Sequence, residues 1–170
     1  MYISIDQSTS SSTVFLYNKN LKLLSKTSKT HKQIQKKFGY VEHDAEEIYK
    51  NILLLLKKLS KKIKFNKNLF LSITNQRETF VIFDTVSGKP LHNAIVWQCR
   101  RGQKVCDKIN KSSLNKKLIK ENTGLTLDTY FPASKLVQLL ASNNILKEKL
   151  KKGSALFGTI DTYLIYRLTK

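Results

Sequence analysis

The sequence predicts a mixed α/β fold on three observations: short strand-like runs open the chain, a long amphipathic helix follows, and strand-like and helical stretches then alternate. Tyr2 to Ile5, Thr13 to Tyr17 and Leu21 to Leu24 are β-prone runs separated by short polar turns, which makes consecutive antiparallel strands the natural arrangement. Asp44 is a helix cap with Glu47 three residues on, and Ile48, Ile52, Leu55, Leu56, Leu59 and Ile63 recur at helical spacing beneath a lysine-coated outer face. Leu69 to Ile73 and Phe80 to Phe83 are strand-like again, and Ser87-Gly88-Lys89-Pro90 is turn chemistry before the apolar stretch Ala94 to Trp97. From Arg101 the pattern turns helical, punctuated at Thr123-Gly124 and Pro132, with a helix near Ser134 to Ser142 and a last one from about Asp161. The strands are expected to be mixed rather than purely parallel.

A chain of 170 residues with 41% apolar content can bury one core, and it contains neither an internal repeat nor a Pro/Gly/Ser-rich linker. One domain, or a piece of one, is expected.

The formal charge of +19 would suit a polyanion partner, but its distribution argues against nucleic acid. Lysines such as Lys57, Lys58, Lys61 and Lys62 alternate with apolar positions as solvated helix faces do. Arginine, the residue that reads bases, occurs four times, and Arg77, Arg100 and Arg101 lie in two short polar segments. Cys99 and Cys106 form no CxxC pair, and His31, His43 and His92 share no metal-ligand spacing with them. Reduced thiols in a cytoplasmic protein are the expectation. The longest apolar run, Ile52 to Leu56, is too short to span a bilayer, and the opening Met1-Tyr2-Ile3-Ser4 is no export signal, so no membrane partner is expected.

Three segments carry chemistry. In Asp6-Gln7-Ser8-Thr9-Ser10-Ser11-Ser12 an acid ends an apolar strand, where a charge is costly unless a cation or metal-bound phosphate joins it. The hydroxyls and turn-ready backbone that follow can aim several donors at one concave point, as phosphate oxygens require. A Ser/Thr-rich hairpin with a turn-capping Asp is also ordinary structure. Neither GxxxxGK[ST] nor GxGxxG occurs, so any nucleotide must be held in another way. In Ile73-Thr74-Asn75-Gln76-Arg77-Glu78-Thr79 a five-donor fork stands beside a pure acceptor, a pairing suited to a neutral polyol, although a strand-terminal surface ion pair would look the same. The third segment, Asn93 to Arg101, holds the single tryptophan, Trp97, and Asp128-Thr129-Tyr130-Phe131 supplies a phenol. Both aromatics would serve equally as core packing.

Taken together, these segments resemble the glycerol kinases, members of the FGGY-type carbohydrate-kinase family. The most specific pieces are Gly39-Tyr40-Val41-Glu42-His43-Asp44, Ile73 to Thr79, Gly88-Lys89-Pro90 with Asn93 to Arg101, Asn122-Thr123-Gly124-Leu125, and Phe157-Gly158-Thr159-Ile160-Asp161-Thr162. The resemblance implies the ribonuclease H-like fold shared with actin, hexokinase and Hsp70-type ATPases. It implies that Asp6 approaches the transferring phosphate and, through water, a Mg2+ ion, and that Thr9, Ser10 and Ser11 contact the ATP phosphates. Arg77, Glu78 and Tyr130 are implied to hydrogen-bond glycerol, with Trp97 against its carbon side. Residues 1–170 would be the N-terminal part of the first, glycerol-binding domain, with the general base and the nucleotide-binding domain downstream; the complete protein has room to be a homo-oligomer.

Two positions depart from the family pattern. Gly is common where this chain has Ser8, and Arg is frequent where it has Thr13, a position linked to nucleotide phosphates. A kinase for another sugar or polyol, and a non-catalytic truncated remnant, are the alternatives.

Overall fold

The computed structural model describes residues 1–63 and 68–170. Two separate sheets contribute to one hydrophobic core. In the first, β1 (Tyr2–Gln7), β2 (Ser11–Tyr17) and β3 (Leu23–Thr30) form an antiparallel meander, and β6 (Phe70–Asn75) lies parallel to β1 on its other side. The order is β3-β2-β1-β6, with Gln7 opposite Ser12 on one flank and Asn75 on the other. Strict alternation drives this: Ile3 and Ile5 on β1 and Val14 and Leu16 on β2 point to one face and are buried, while their neighbours lie nearer solvent.

Helix α1 (Ala45–Ser60) covers that face with Ile48, Ile52, Leu55 and Leu59. Asp44 caps it as the sequence predicts, its carboxylate accepting from the amides of Glu46 and Glu47 at 2.9 and 3.3 Å. Glu47 does not complete the reciprocal box; its carboxylate accepts instead from the amide of Lys32 at 3.4 Å. Helix α6 (Ile160–Thr169) closes the same core with Ile160, Tyr163 and Leu164, and Arg167 pairs with Glu46 of α1 at 2.6 Å.

The second sheet is antiparallel throughout, in the order β4 (Gln33–Ile34), β5 (Glu42–His43), β8 (Ala94–Ile95), β7 (Phe80–Asp84), β9 (Ala155–Thr159). The run Phe80-Val81-Ile82-Phe83 is apolar without alternation because β7 is buried on both faces: Val81 and Phe83 enter the first core, Phe80 and Ile82 a second. That second core is roofed by α4 (Pro132–Ala141) and α5 (Asn144–Lys151) through Leu139 and Leu146; α2 (Gln103–Asn110) and α3 (Ser113–Thr123) lie outside them.

Several elements differ from the sequence expectation. The third strand begins at Leu23 and runs to Thr30, because Leu21 sits in a left-handed turn at φ 58 and the edge strand continues past Leu23 and Leu24 through Ser, Lys and Thr with no buried residue. The apolar stretch Ala94 to Trp97 is strand only over Ala94–Ile95 before the chain turns. Strand β9 was not expected at all. Among the described residues no helix is long and apolar enough to cross a membrane.

Candidate active site

Parallel neighbours β1 and β6 end side by side, so the turn after each emerges at the same edge of the sheet, where open α/β sheets place ligands. There a cleft of about 380 Å³ is lined by Ser8 and Thr9 from the first turn, Asn75, Gln76 and Arg77 from the second, and Trp97 and Tyr130. Thr9, Arg77, Trp97 and Tyr130 are thus brought onto one cavity. Asp6, Ser10, Ser11 and Glu78 do not line it.

Asp6 is half-buried at the end of β1, on the opposite face from Gln7, and its Oδ1 accepts from the Ser8 hydroxyl at 2.9 Å. The ion pairs among the described residues do not include it. Ser10 is exposed, and its carbonyl accepts from the amide of His31 at 3.3 Å. Ser11 belongs to β2, its carbonyl closing the turn on the Ser8 amide at 2.9 Å. Thr13, opposite Asp6 on β2, shares a 3.0 Å hydrogen bond with Ser28. The positive-φ non-glycine residues among those described are Leu21 and Glu78, so Ser8 takes the place common to Gly without left-handed backbone.

Arg77 is exposed and Glu78 half-buried, and the two do not pair with each other among the described ion pairs. Glu78 sits at φ 63, a left-handed conformation uncommon for a side chain of its size. Trp97 and Tyr130 meet edge to face, centroids 5.8 Å apart at 62°, and Phe131 backs Tyr130 at 5.2 Å and 89°.

Behind the cleft lies a buried amide network. Gln76 Nε2 donates to Gln7 Oε1 at 3.1 Å and to His43 Nδ1 at 3.2 Å, while its Oε1 accepts from the Thr79 hydroxyl at 3.1 Å. Thr79 in turn accepts from the amide of Trp97 at 3.2 Å, and Gln7 Nε2 donates to the Ser8 carbonyl at 2.7 Å. Because an amide nitrogen only donates, His43 Nδ1 must accept, which makes the ring neutral with its proton on Nε2. Burial drives the same outcome, lowering the His43 pKa to about 4, with the edge-packed ring of His31 adding to the effect. His31 is also lowered by burial, against the opposing pull of its 2.9 Å contact with the Thr9 carbonyl and of Glu47.

A family model for the N-terminal domain of the FGGY family of carbohydrate kinases matches residues 1–170. The chain belongs to the FGGY family of carbohydrate kinases. It is 44% identical to glycerol kinase 1 of Thermotoga maritima across its whole length, which is 35% of that relative, and 42% identical to a glycerol kinase of Francisella philomiragia over 99% of this chain and 34% of the other. The chain therefore spans about a third of the length of the curated relatives it matches. A crystal structure of Plasmodium falciparum glycerol kinase with ADP superposes with a TM-score of 0.89 at 37% identity, over 98% of this chain and 34% of that one. A gluconate kinase from Lactobacillus acidophilus, 23% identical, shares the fold at a TM-score of 0.84, covering 98% of this chain and 32% of its own.

The fold of this FGGY domain is accordingly the expected α/β one, of the ribonuclease H-like, actin and hexokinase type. The motifs of the FGGY chain contain Gln7, Gln76, Thr79 and His43 without marking their role as the support beneath the cleft, and His31 and Lys135 lie outside the motifs. One signal was available for Lys135. It precedes Leu139 by four residues, which places a cation on the apolar stripe of α4, and there it is fully buried.

Proposed function

We propose that the complete protein is a glycerol kinase, transferring a phosphoryl group from MgATP to a primary hydroxyl of glycerol to give sn-glycerol 3-phosphate and ADP. The observation that carries this reading is the shared cleft, in which the turn after β1 and the turn after β6 face one another across Trp97 and Tyr130. Arg77 and Tyr130, which line it, bind the hydroxyls of glycerol together with Glu78 of the same turn as Arg77, and Trp97 packs against the carbon side; Thr9 in the cleft, with Ser10 and Ser11 beside it in sequence, offers donors to the ATP phosphates. A small triol suits a site in which a guanidinium, a carboxylate and a phenol each match one polar group, because an analogue lacking a hydroxyl leaves a partner unpaired.

The residues present fit the phosphate end of MgATP. A half-buried carboxylate, Asp6, beside turn hydroxyls would suit a hard, oxygen-seeking cation accompanying phosphate. Asp6 would help to hold such an ion, which when bound would supply charge neutralisation at the phosphates, and the hydroxyls and amides of the turn would position the phosphates. Thr13, hydrogen-bonded to Ser28, brings no positive charge to the phosphate turn. The base that takes the hydroxyl proton is placed downstream of residue 170, as the family resemblance implies. Residues 1–170 serve as the N-terminal part of the glycerol-binding domain, and the nucleotide base is held by a second domain. The cytoplasm, with its MgATP, is the setting in this reading, and both cysteines are free buried thiols.

A substrate panel on the complete protein tests the assignment. ADP release dependent on glycerol, falling at least about a hundredfold in kcat/KM for Arg77→Ala, is expected. Preferred turnover of a pentulose or gluconate would make the protein a sibling sugar kinase, and no polyol-dependent turnover would leave a non-catalytic relative.

A further inference from the structure

We infer that Lys135 is a positioning residue for the polyol pocket: its ammonium, by gripping the carbonyls of Val96, Trp97 and Tyr130, fixes the two aromatic walls relative to each other. The inference rests on the glycerol-kinase reading above and extends it to a residue that touches no substrate.

The geometry is complete in itself. An ammonium has three N–H donors, and Lys135 Nζ meets three carbonyl oxygens, at 3.4 Å for Val96, 3.2 Å for Trp97 and 2.9 Å for Tyr130. Two of those carbonyls belong to the aromatic residues that line the cleft, and they come from segments that no strand pairing joins. The lysine is 0% exposed, and the described ion pairs do not include it. Its charge is met by carbonyl dipoles at contact, and at longer range by Glu78 and Asp128, with the Cys99 thiol and the Arg101 guanidinium also facing it. An apolar side chain of similar length would fill the same space without desolvation, so what the ammonium adds is the fixed spacing of three carbonyls rather than packing.

The anchor at the other end of the side chain is equally constrained. Helix α4 starts at Pro132, and Gly102 at the start of α2 lies so close that a Cβ there would stand 2.3 Å from Ser134 Oγ and 2.8 Å from the Lys135 amide nitrogen. The first turn of α4 is therefore wedged, and the lysine reaches from it to the Val96–Trp97 turn. Burial lowers the Lys135 pKa to about 8, against the pull of the surrounding carboxylates. Loss of the proton leaves two N–H groups for three carbonyls.

The test pairs Lys135→Met with the unchanged protein. In the complete protein the variant should raise KM for glycerol about tenfold and leave KM for ATP and kcat at saturating glycerol near their original values. In the 170-residue chain, whose single tryptophan is Trp97, acrylamide should quench the variant's emission more readily. A folded variant with unaltered glycerol KM and quenching overturns the inference. Should the variant fail to fold, the pH profile of the unchanged protein decides: KM for glycerol should rise between about pH 7 and 9.5 while KM for ATP holds, and a flat profile overturns it. Absence of glycerol turnover in the unchanged protein would instead defeat the kinase reading and leave the Trp97 quenching result to judge the clamp alone.

Discussion

The indole N–H of Trp97 donates to the hydroxyl of Thr9 at 3.0 Å, so an aromatic wall of the proposed polyol pocket is tethered to the turn assigned to phosphate. Neither half of the site can move without the other feeling it. Thr9→Val keeps the shape and removes the acceptor, at a cost of about 1 kcal/mol for the unpaired N–H. Initial rates varied over both substrates should show KM rising for glycerol and for ATP together, whereas Thr9→Ser should restore both. A change confined to ATP would mean the tether has no part in holding the polyol wall.

Glu78 holds a left-handed backbone, which costs a non-glycine residue about 1–2 kcal/mol. Glu78→Gly should therefore melt at the same temperature or slightly higher, while glycerol affinity is lost with the carboxylate. Glu78→Gln, which retains the strain and the shape, should lose affinity without the thermal gain. Calorimetric melting alongside glycerol titration separates the two effects.

His43 supplies a pH dependence whose sign follows from its neutral, accepting ring. Its pKa falls from 6.5 to about 4 in the folded state, so the native protein resists a proton that the unfolded chain accepts. Stability is full above pH 6.5 and declines as pH drops toward 4, by on the order of 2–3 kcal/mol for this group. His31, shifted in the same direction, adds to the decline. Urea unfolding midpoints measured between pH 7 and 4 should fall steeply, and less so in His43→Gln.

Gly102 and Gly124 make a controlled contrast. Gly102 lacks space for a Cβ, and Gly102→Ala should push α2 from α4, with a loss of about 1–3 kcal/mol and weakened glycerol binding. Gly124 caps α3 at φ 70 with nothing within 4 Å of its missing Cβ, so Gly124→Ala should cost about 1 kcal/mol of stability through the backbone and leave the pocket untouched. Denaturation curves and glycerol titrations of the two variants would distinguish crowding from strain.

Strands β1 and β2 and helix α1 were legible because each buries one periodic face, and Asp44 was legible because a cap needs only its own side chain and the next amides. Strand β3 was legible only at its Leu23-Leu24 start, because its exposed continuation through Ser, Lys and Thr carries no apolar signal. The two-residue strands β4 and β5 exist only through their partners, and β9 takes its identity from β7. At the site, Thr9, Arg77, Trp97 and Tyr130 stood out by residue type. Gln7, Gln76 and Thr79 did not, since a buried amide chain is defined by distances across strands that local pattern does not encode.

Strand β9 has one more implication. It pairs Thr159 with Phe80, and Ile160 donates its amide to the carbonyl of Thr79 at 3.0 Å, the residue that also anchors Trp97. A nascent chain leaving the ribosome with only β1 to β8 has both ligand-facing turns but lacks the clasp that locks the second of them. The second turn is thus latched only after closure of a long loop, and a translation pause ahead of residue 155 would leave it unlatched for its whole duration.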